Sequence, residues 1–357
     1  MRVLQVTSDT DARGGPVFAR DLHRPLAERG LTVRTVALAP GAVGGLDLRT
    51  LGPTRRHPRT IARLRRLMAS ADVVIAHGST TGPACALAGA GVSTPFVYRN
   101  LGDPLAWATT PARRARTAAF LSRAAAVAAL WPGAAEALHR HLGVPRGRIT
   151  TIPIAADPDR LQPATPDQRT ALRRDLGLDP ARPVIAFVGS LTEEKRVHLA
   201  LDAIGDRPVP AGIEGAHLLV AGDGPLRAAL EDRARRQRAP VTFLGRVTDP
   251  AAIYHAADVL VLPSRTEGMP AVLVEAGLCG VPSVATNVGG VGEIVTDTTG
   301  SLVAPDATAA DLAQALATVV DRRDALGAAA RRRCRERFAL DAIADRWAGL
   351  LDWTAGR

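Results

Sequence analysis

Lysine is nearly missing from this chain: of its 45 Lys and Arg residues, all but Lys195 are arginine. Aromatic residues make up only 3 %, too few for a nucleic-acid surface built on stacked rings, and no helix-turn-helix, finger or RNP-like motif accompanies them. No nucleic-acid partner is therefore expected. The three cysteines, Cys85, Cys279 and Cys334, stand far apart. That spacing excludes a disulfide framework and a cysteine-based zinc site, and it fits a reducing compartment. No run reaches the about 18 apolar residues that a membrane-spanning helix needs. The opening MRVLQVTSDTDARGG is too short and too mixed in polarity for a secretory signal. A cytoplasmic protein is expected. Walker A, HExxH and GxSxG patterns are absent as well, which leaves ATPase, zinc-protease and serine-hydrolase readings without support.

What is present begins with charge, a formal net of +10. Such an excess can mark an anionic partner, but an arginine bias this extreme looks compositional and weakens that inference. It also singles out Lys195. Where arginine serves equally well, a biased composition supplies arginine; a compact ammonium against phosphate oxygens is a task a planar guanidinium performs differently. At 357 residues the chain is long enough for two domains, each able to close its own core.

Both halves alternate strand and helix. Short apolar runs at Arg2–Thr7, Val33–Leu38, Val73–Ala76, Phe96–Tyr98 and Val127–Leu130 read as parallel strands covered on both faces. After the first of them, Ser8 to Gly15 reads as a loop. Phe18, Leu22 and Leu26 then recur at helical spacing up to Gly30, with Pro25 expected to kink or shorten that helix. The second half repeats the rhythm at Pro183–Val188, His217–Ala221, Val241–Leu244, Asp258–Leu262 and Ser283–Ala285. A Pro- and Asp-rich stretch, IPIAADPDRLQPATPDQ, links the two. The expected fold is α/β, two doubly wound sheets, with ligands at the carboxyl ends of the strands. Asp341–Trp353 puts Ile343, Trp347, Leu350 and Leu351 on one helical face.

The stretch PSRTEGMPAVLVEAGLCGVPSVATNVGGVGEIV, Pro263 to Val295, carries the most chemistry. Pro270 suits a first helical turn, which sets Glu267 just before a helix and Glu275 within it. Free amides around Met269–Val272, backed by the helix dipole, make an anion site. Eight helical residues separate backbones by about 12 Å, whereas glycosidase carboxyl pairs lie roughly 5–9.5 Å apart. The two glutamates therefore have different tasks. In FVGSLTEEKRVHLALDAI, Lys195 stands at the start of an amphipathic helix, where a cation needs an anion close by. Gly14-Gly15 after the first strand let backbone approach a ligand.

Together these stretches resemble the group-one family of retaining GT-B glycosyltransferases. Further matches are DVVIAHG, ITTIPIAADPDRL, LLVAGDGP and VTFLGRV, and the EGMPAVLVEA block looks like the family's Glu-seven-residues-Glu signature. The resemblance implies a GT-B fold of two Rossmann-like domains facing across a cleft: residues 1–160 on the acceptor side, 161–340 holding the nucleotide sugar, and 341–357 a helix packing back on the first domain. It implies transfer of a hexosyl unit from a UDP- or GDP-sugar to a glycan or lipid-linked acceptor. Glu275 would hold the donor ribose, and Glu267 would lie by the sugar and diphosphate. Lys195 would neutralise diphosphate oxygens, helped by Gly268, Met269, Pro270 and Ala271. Gly245, Arg246 and Val247 would meet the base, and Gly14 and Gly15 would face the donor. Ser190 stands where the family commonly has arginine, which leaves Arg196 or Arg265 to substitute. Asn100 stands near the family's sugar-side histidine, with His77 as the other candidate. Neither a cofactor nor a metal is expected.

The segment 54–69, TRRHPRTIARLRRLMA, reads from Arg59 onward as a basic amphipathic helix of the kind that lies on anionic lipid. It suggests a peripheral position at the inner face of the membrane. A sugar-nucleotide epimerase or a non-catalytic relative on the same scaffold remains the alternative, with a basic nucleic-acid binder as the reading from another class.

Overall fold

The computed structural model describes residues 1–205 and 208–356, in two units: Met1–Asp157 with Ala339–Arg357, and Pro158–Phe338. The first holds a seven-stranded sheet of β1 (Arg2–Thr7), β2 (Thr32–Ala37), β3 (Arg49–Thr50), β4 (Val73–His77), β5 (Phe96–Arg99), β6 (Ala126–Ala129) and β7 (Ile149–Thr151), in the order β3-β2-β1-β4-β5-β6-β7. All neighbours run parallel; Val3 of β1, for example, lies between Val33 and Val73. The crossovers are α1 (Gly14–Glu28), α2 (Pro58–Ala69), α3 (Thr81–Ala88), α4 (Pro104–Trp107), α5 (Pro111–Leu121) and α6 (Pro132–Leu142). α2, α4, α5 and α6 open with proline in the first turn, where its missing N–H has no intrahelical partner to lose. Thr110 and Asp103 cap α5 and α4 by accepting the N–H groups of Arg113 and Leu105.

The second unit repeats the plan with β8 (Val184–Val188), β9 (His217–Ala221), β10 (Val241–Gly245), β11 (Val259–Leu262), β12 (Ser283–Thr286) and β13 (Gly300–Val303), in the order β10-β9-β8-β11-β12-β13. Its helices are α7 (Pro166–Asp175), α8 (Val197–Ile204), α9 (Arg227–Gln237), α10 (Ala251–Ala256), α11 (Ala271–Leu278), α12 (Ala309–Asp321) and α13 (Arg323–Phe338). The chain winds outward from β8 to β10, then returns to β11 on the other side. β8 and β11 thus flank the switch point, where doubly wound sheets bind ligands. At the amino end of β11, buried Asp258 accepts from Arg173 at 2.6 Å, Arg169 at 2.5 Å and the Val184 N–H at 2.7 Å, fastening α7 to the sheet.

A last helix, α14 (Leu340–Ala355), belongs to the first unit. The Leu340 N–H donates to the Ala156 carbonyl, Arg29 pairs with Asp345 at 2.6 Å, and fully buried Trp347 packs against Phe18 and His77.

The fold departs from expectation locally. α1 includes Pro25 and ends three residues after it, at Glu28, the proline leaving the Asp21 carbonyl without a helical N–H donor. Gly14 and Gly15 form the first turn of α1, not a loop. β3, β7 and β13 went unread because two to four residues, several of them polar, make no apolar run.

Candidate functional site

The site residues of the second unit meet on the loops that follow its strands. After β8 come Gly189, exposed Ser190 and a single 3-10 turn, Glu193–Lys195. Arg196 then takes the left-handed conformation, φ 46°, which costs a non-glycine residue about 1–2 kcal/mol. That bend sends two neighbouring cations to different partners. The Lys195 ammonium meets a carboxylate oxygen of Glu267 at 2.6 Å, both side chains being largely buried. The Arg196 guanidinium turns inward and donates to the carbonyls of Pro263 at 2.7 Å, Pro305 at 2.9 Å and Ser264 at 3.3 Å, and to the Thr286 hydroxyl.

The loop from β11 to α11 is therefore held from one side by the turn after β8, and the Arg265 N–H adds a bond to the Glu194 carbonyl. From the other side Gly290 donates to the Gly268 carbonyl at 2.7 Å. Gly289 has φ +56°, and a Cβ there would lie 2.1 Å from the Glu267 carbonyl oxygen. No other residue fits between these backbones. Glycine at 222 is required for a like reason: its Cβ would stand 1.8 Å from the Gly189 carbonyl oxygen, so the ends of β8 and β9 can close up.

Pro270 caps α11 with extended backbone, ψ 120°, and the helix starts at Ala271. The Leu273 N–H is taken by the Pro270 carbonyl. Ala271 and Val272, whose N–H groups have no place in the intrahelical ladder, are half-buried. This end of α11 follows Glu267 and its ammonium partner directly in the chain. One turn further, Glu275 is half-buried and accepts from the hydroxyl of Tyr254 on α10 at 2.7 Å. Tyr254 is fully buried; burial, and then the charge of Glu275, hold its phenol well above the ordinary value. Arg246 is exposed and Val247 half-buried just past β10, and the Gly245 carbonyl accepts from Gly222.

The structure thus joins Lys195 to Glu267 and sets Gly268, Met269, Pro270 and Ala271 beside them in sequence, with Glu275 farther along the helix. It withdraws three expectations. Arg196 does not replace the missing cation at Ser190, because its donors are spent on carbonyls inside the unit. His77 is enclosed within its own unit instead of facing outward: it is buried, its Nε2 lies 3.0 Å from the Gln5 amide oxygen, and Phe18 and Trp347 flank it. Burial, reinforced by the charge of Arg99, drives its pKa well below the histidine value. Asn100 is sealed in as well, its amide donating to the Gly102 carbonyl at 2.7 Å. A Cβ on Gly15 would meet the tip of the Leu101 side chain at 2.8 Å, which could shift to make room, whereas Gly14 has open space.

Sequence reasoning missed Tyr254 and the structural task of Arg196, which only the folded contacts reveal. It also passed over Asp9-Thr10-Asp11, a DxD spacing directly after β1. Asp9 is buried and paired with Arg13 and with Arg55 at 2.5 Å. Asp11 accepts the N–H groups of Val43 and Gly44 at 2.9 Å, and these bonds lower its pKa. Both carboxylates are occupied by the protein. Among the described residues no group of three or more His, Cys, Asp or Glu is arranged to hold a metal ion.

Two family profiles match the chain. Residues 12–160 match one described as Glycosyltransferase Family 4, and residues 182–322 one described as Glycosyl transferases group 1. A D-inositol 3-phosphate glycosyltransferase of Geodermatophilus obscurus is 30 % identical over 90 % of this chain and 81 % of its own length. The chain belongs to the group 1 glycosyltransferases. Within that family a GDP-mannose-dependent phosphatidylinositol monomannoside mannosyltransferase of Corynebacterium glutamicum is 33 % identical. That match takes in 56 % of this chain and 55 % of the relative, so the chain spans about half of that protein. In fold the glycosyltransferase chain is similar to HepE of Anabaena, solved with UDP-glucose, with TM-score 0.85 over 99 % of this chain and 100 % of that one at 22 % identity. Its two Rossmann-like units are those of the GT-B fold.

Proposed function

We propose that this glycosyltransferase moves a hexosyl unit, with retention, from a UDP- or GDP-sugar to a glycan or lipid-linked acceptor. The observation that carries the reading is the contact between Lys195 and Glu267 at 2.6 Å, at the switch point and directly ahead of α11. As the glycosidic bond breaks, the leaving diphosphate gains negative charge. Fixed positive ends aimed there lower the barrier. The Lys195 ammonium and the backbone N–H groups of Met269, Ala271 and Val272 are such ends, Pro270 having none to give, and the Glu267 carboxylate steers the ammonium. They neutralise the leaving group without calling on a divalent cation. Glu275 takes the ribose, Arg246 and Val247 meet the base, and Ser190 offers a hydroxyl to the diphosphate. Retention follows from likeness to the group-one family. Both donor bases are kept because the mannosyltransferase relative is named for GDP-mannose and HepE was solved with UDP-glucose. A lipid-linked acceptor is favoured by that same relative, named for a phosphatidylinositol mannoside.

Thermal unfolding with UDP, GDP, ADP and their sugars tests the reading. The true donor at 100 times its Kd adds about 2.7 kcal/mol. Lys195→Ala lowers turnover about 10²–10³-fold, the scale for losing one oxyanion-type donor. Absence of any nucleotide response, or full turnover in Lys195→Ala, overturns it.

A cytoplasmic position with the first unit docked on anionic lipid is part of the same proposal. α2 buries Thr60, Leu64 and Met68 and leaves Arg59, Arg63, Arg65 and Arg66 exposed. With its apolar side used in the core, such docking is by charge rather than by insertion. No described helix is long and apolar enough to cross a membrane. Cosedimentation with phosphatidylserine vesicles should be strong in low salt and lost in high salt; absence of binding in low salt removes the membrane.

A further inference from the structure

The carboxylate assigned to the ribose is held by another side chain. We propose that Tyr254 is a positioning residue, whose hydroxyl fixes the Glu275 carboxylate in one orientation toward the ribose hydroxyls of a nucleoside diphosphate. The proposal rests on the donor-site reading given above.

Three observations carry it. The bond is short, 2.7 Å from the Tyr254 hydroxyl to Oε2 of Glu275, the range in which a hydroxyl donates to an ionised carboxylate with about twice the strength of a neutral pair. Tyr254 is fully buried, so its hydroxyl cannot exchange this partner for solvent, and a buried hydroxyl keeps a partner wherever it can. The two residues also come from different elements. α10 ends at Ala256, immediately before β11, while Glu275 lies at the middle of α11 after that strand. The bond therefore ties the carboxylate across the strand at the switch point and not merely to its own helix.

Accepting from two adjacent ribose hydroxyls requires one rotamer of the Glu275 carboxylate, and the bond from Tyr254 favours a single orientation. Locking that rotamer before the ligand arrives removes an ordering cost from binding. The benefit appears in donor affinity, since the ribose contact is the same before and during transfer.

The test is Tyr254→Phe in the full chain, with UDP and GDP as probes in calorimetry, each beside its 2′,3′-dideoxy analogue. Whichever nucleotide the wild type binds should bind Tyr254→Phe about tenfold more weakly, equivalent to about 1.4 kcal/mol. The dideoxy analogue should bind both proteins alike. A purely structural role for the tyrosine would weaken both ligands together and overturns the proposal, as does unchanged affinity for the ribonucleotide. Glu275→Gln supplies the second arm. If Tyr254 acts through Glu275, the double variant is no weaker than Glu275→Gln alone.

The chain has two tyrosines, Tyr98 and Tyr254, so uniform 3-fluorotyrosine labelling gives a readout that needs no destabilising substitution. The fluorine resonance of Tyr254 should move on adding the ribonucleotide and stay in place with the dideoxy analogue; a resonance indifferent to both overturns the proposal. The donor-site reading fails separately, if Glu275→Gln leaves the preference for ribose over dideoxyribose intact.

Discussion

Both units bury arginine, and Arg173 of the second and Arg99 of the first are accommodated in opposite ways. In the second unit Arg173 donates to Asp258, to the Ala256 carbonyl at 2.9 Å and to the Pro180 carbonyl at 3.2 Å. In the first unit Arg99 ends β5 with its guanidinium carbon 3.6 Å from the centre of the Phe18 ring, and none of its three nitrogens has a hydrogen-bond partner. Burial pushes its pKa down to about 9. Both side chains are inaccessible, yet one is woven into the backbone and the other rests on an aromatic face. A buried cation strengthens a fold when carboxylate and carbonyls share its charge, and burdens it when only a ring quadrupole does.

The largest effect expected from this contrast is Asp258→Ala. It strips the carboxylate from Arg173 and Arg169 and leaves buried positive charge, so denaturant unfolding should show the second unit weakened by about 3–5 kcal/mol. A loss below about 1 kcal/mol would mean that the cluster is not held as a pair at all.

Next in size is an acid effect in the first unit. His77 titrates near 6.5 in the unfolded chain but well below that when folded, through burial and then Arg99. The unfolded chain therefore binds the extra proton first. The stability His77 allows is complete above pH 6.5 and is lost as pH falls from there toward the folded value, by up to about 1.4 kcal/mol per pH unit. His198 and His217 of the second unit are shifted the same way by burial, so the comparison is wild type against His77→Gln. The variant should lose less stability between pH 6.5 and 5. Parallel curves would place the titrating group elsewhere.

The smallest effect is expected at Arg99→Met. An apolar side chain of similar length removes an unshared charge while keeping contact with Phe18, so stability should hold or rise. A loss above about 2 kcal/mol would show that the guanidinium contributes a bond not visible in its surroundings.

These contrasts mark how far the sequence could be read. The strands with continuous apolar runs, such as Val73–Ala76 and Pro183–Val188, could be found because burial on both faces leaves no room for polar residues. Lys195, Glu267 and Glu275 could be singled out as candidates because composition, a proline and a helix start each narrow the options locally; that the first two meet is seen only in the fold. Arg196 was misjudged for the converse reason. Whether a guanidinium faces a ligand or its own carbonyls depends on one backbone angle, and an arginine at φ 46° leaves no mark in residue type. His77 and Asn100 became candidates through likeness to the family's sugar-side histidine, each at the end of a strand. Phe18 and Trp347, which enclose His77, lie 59 residues before it and 270 after it in the numbering. Tyr254 was invisible because its partner lies across a strand.

The return of α14 to the first unit has a consequence for how the molecule is made. The socket around Trp347 combines α1, near the start of the chain, with a helix synthesised only after the whole second unit has left the ribosome. Until then Phe18 and His77 lack their third wall. During synthesis the earlier unit must wait for the later one, and cutting the chain between Asp157 and Pro158 cannot give a finished copy of the piece translated first.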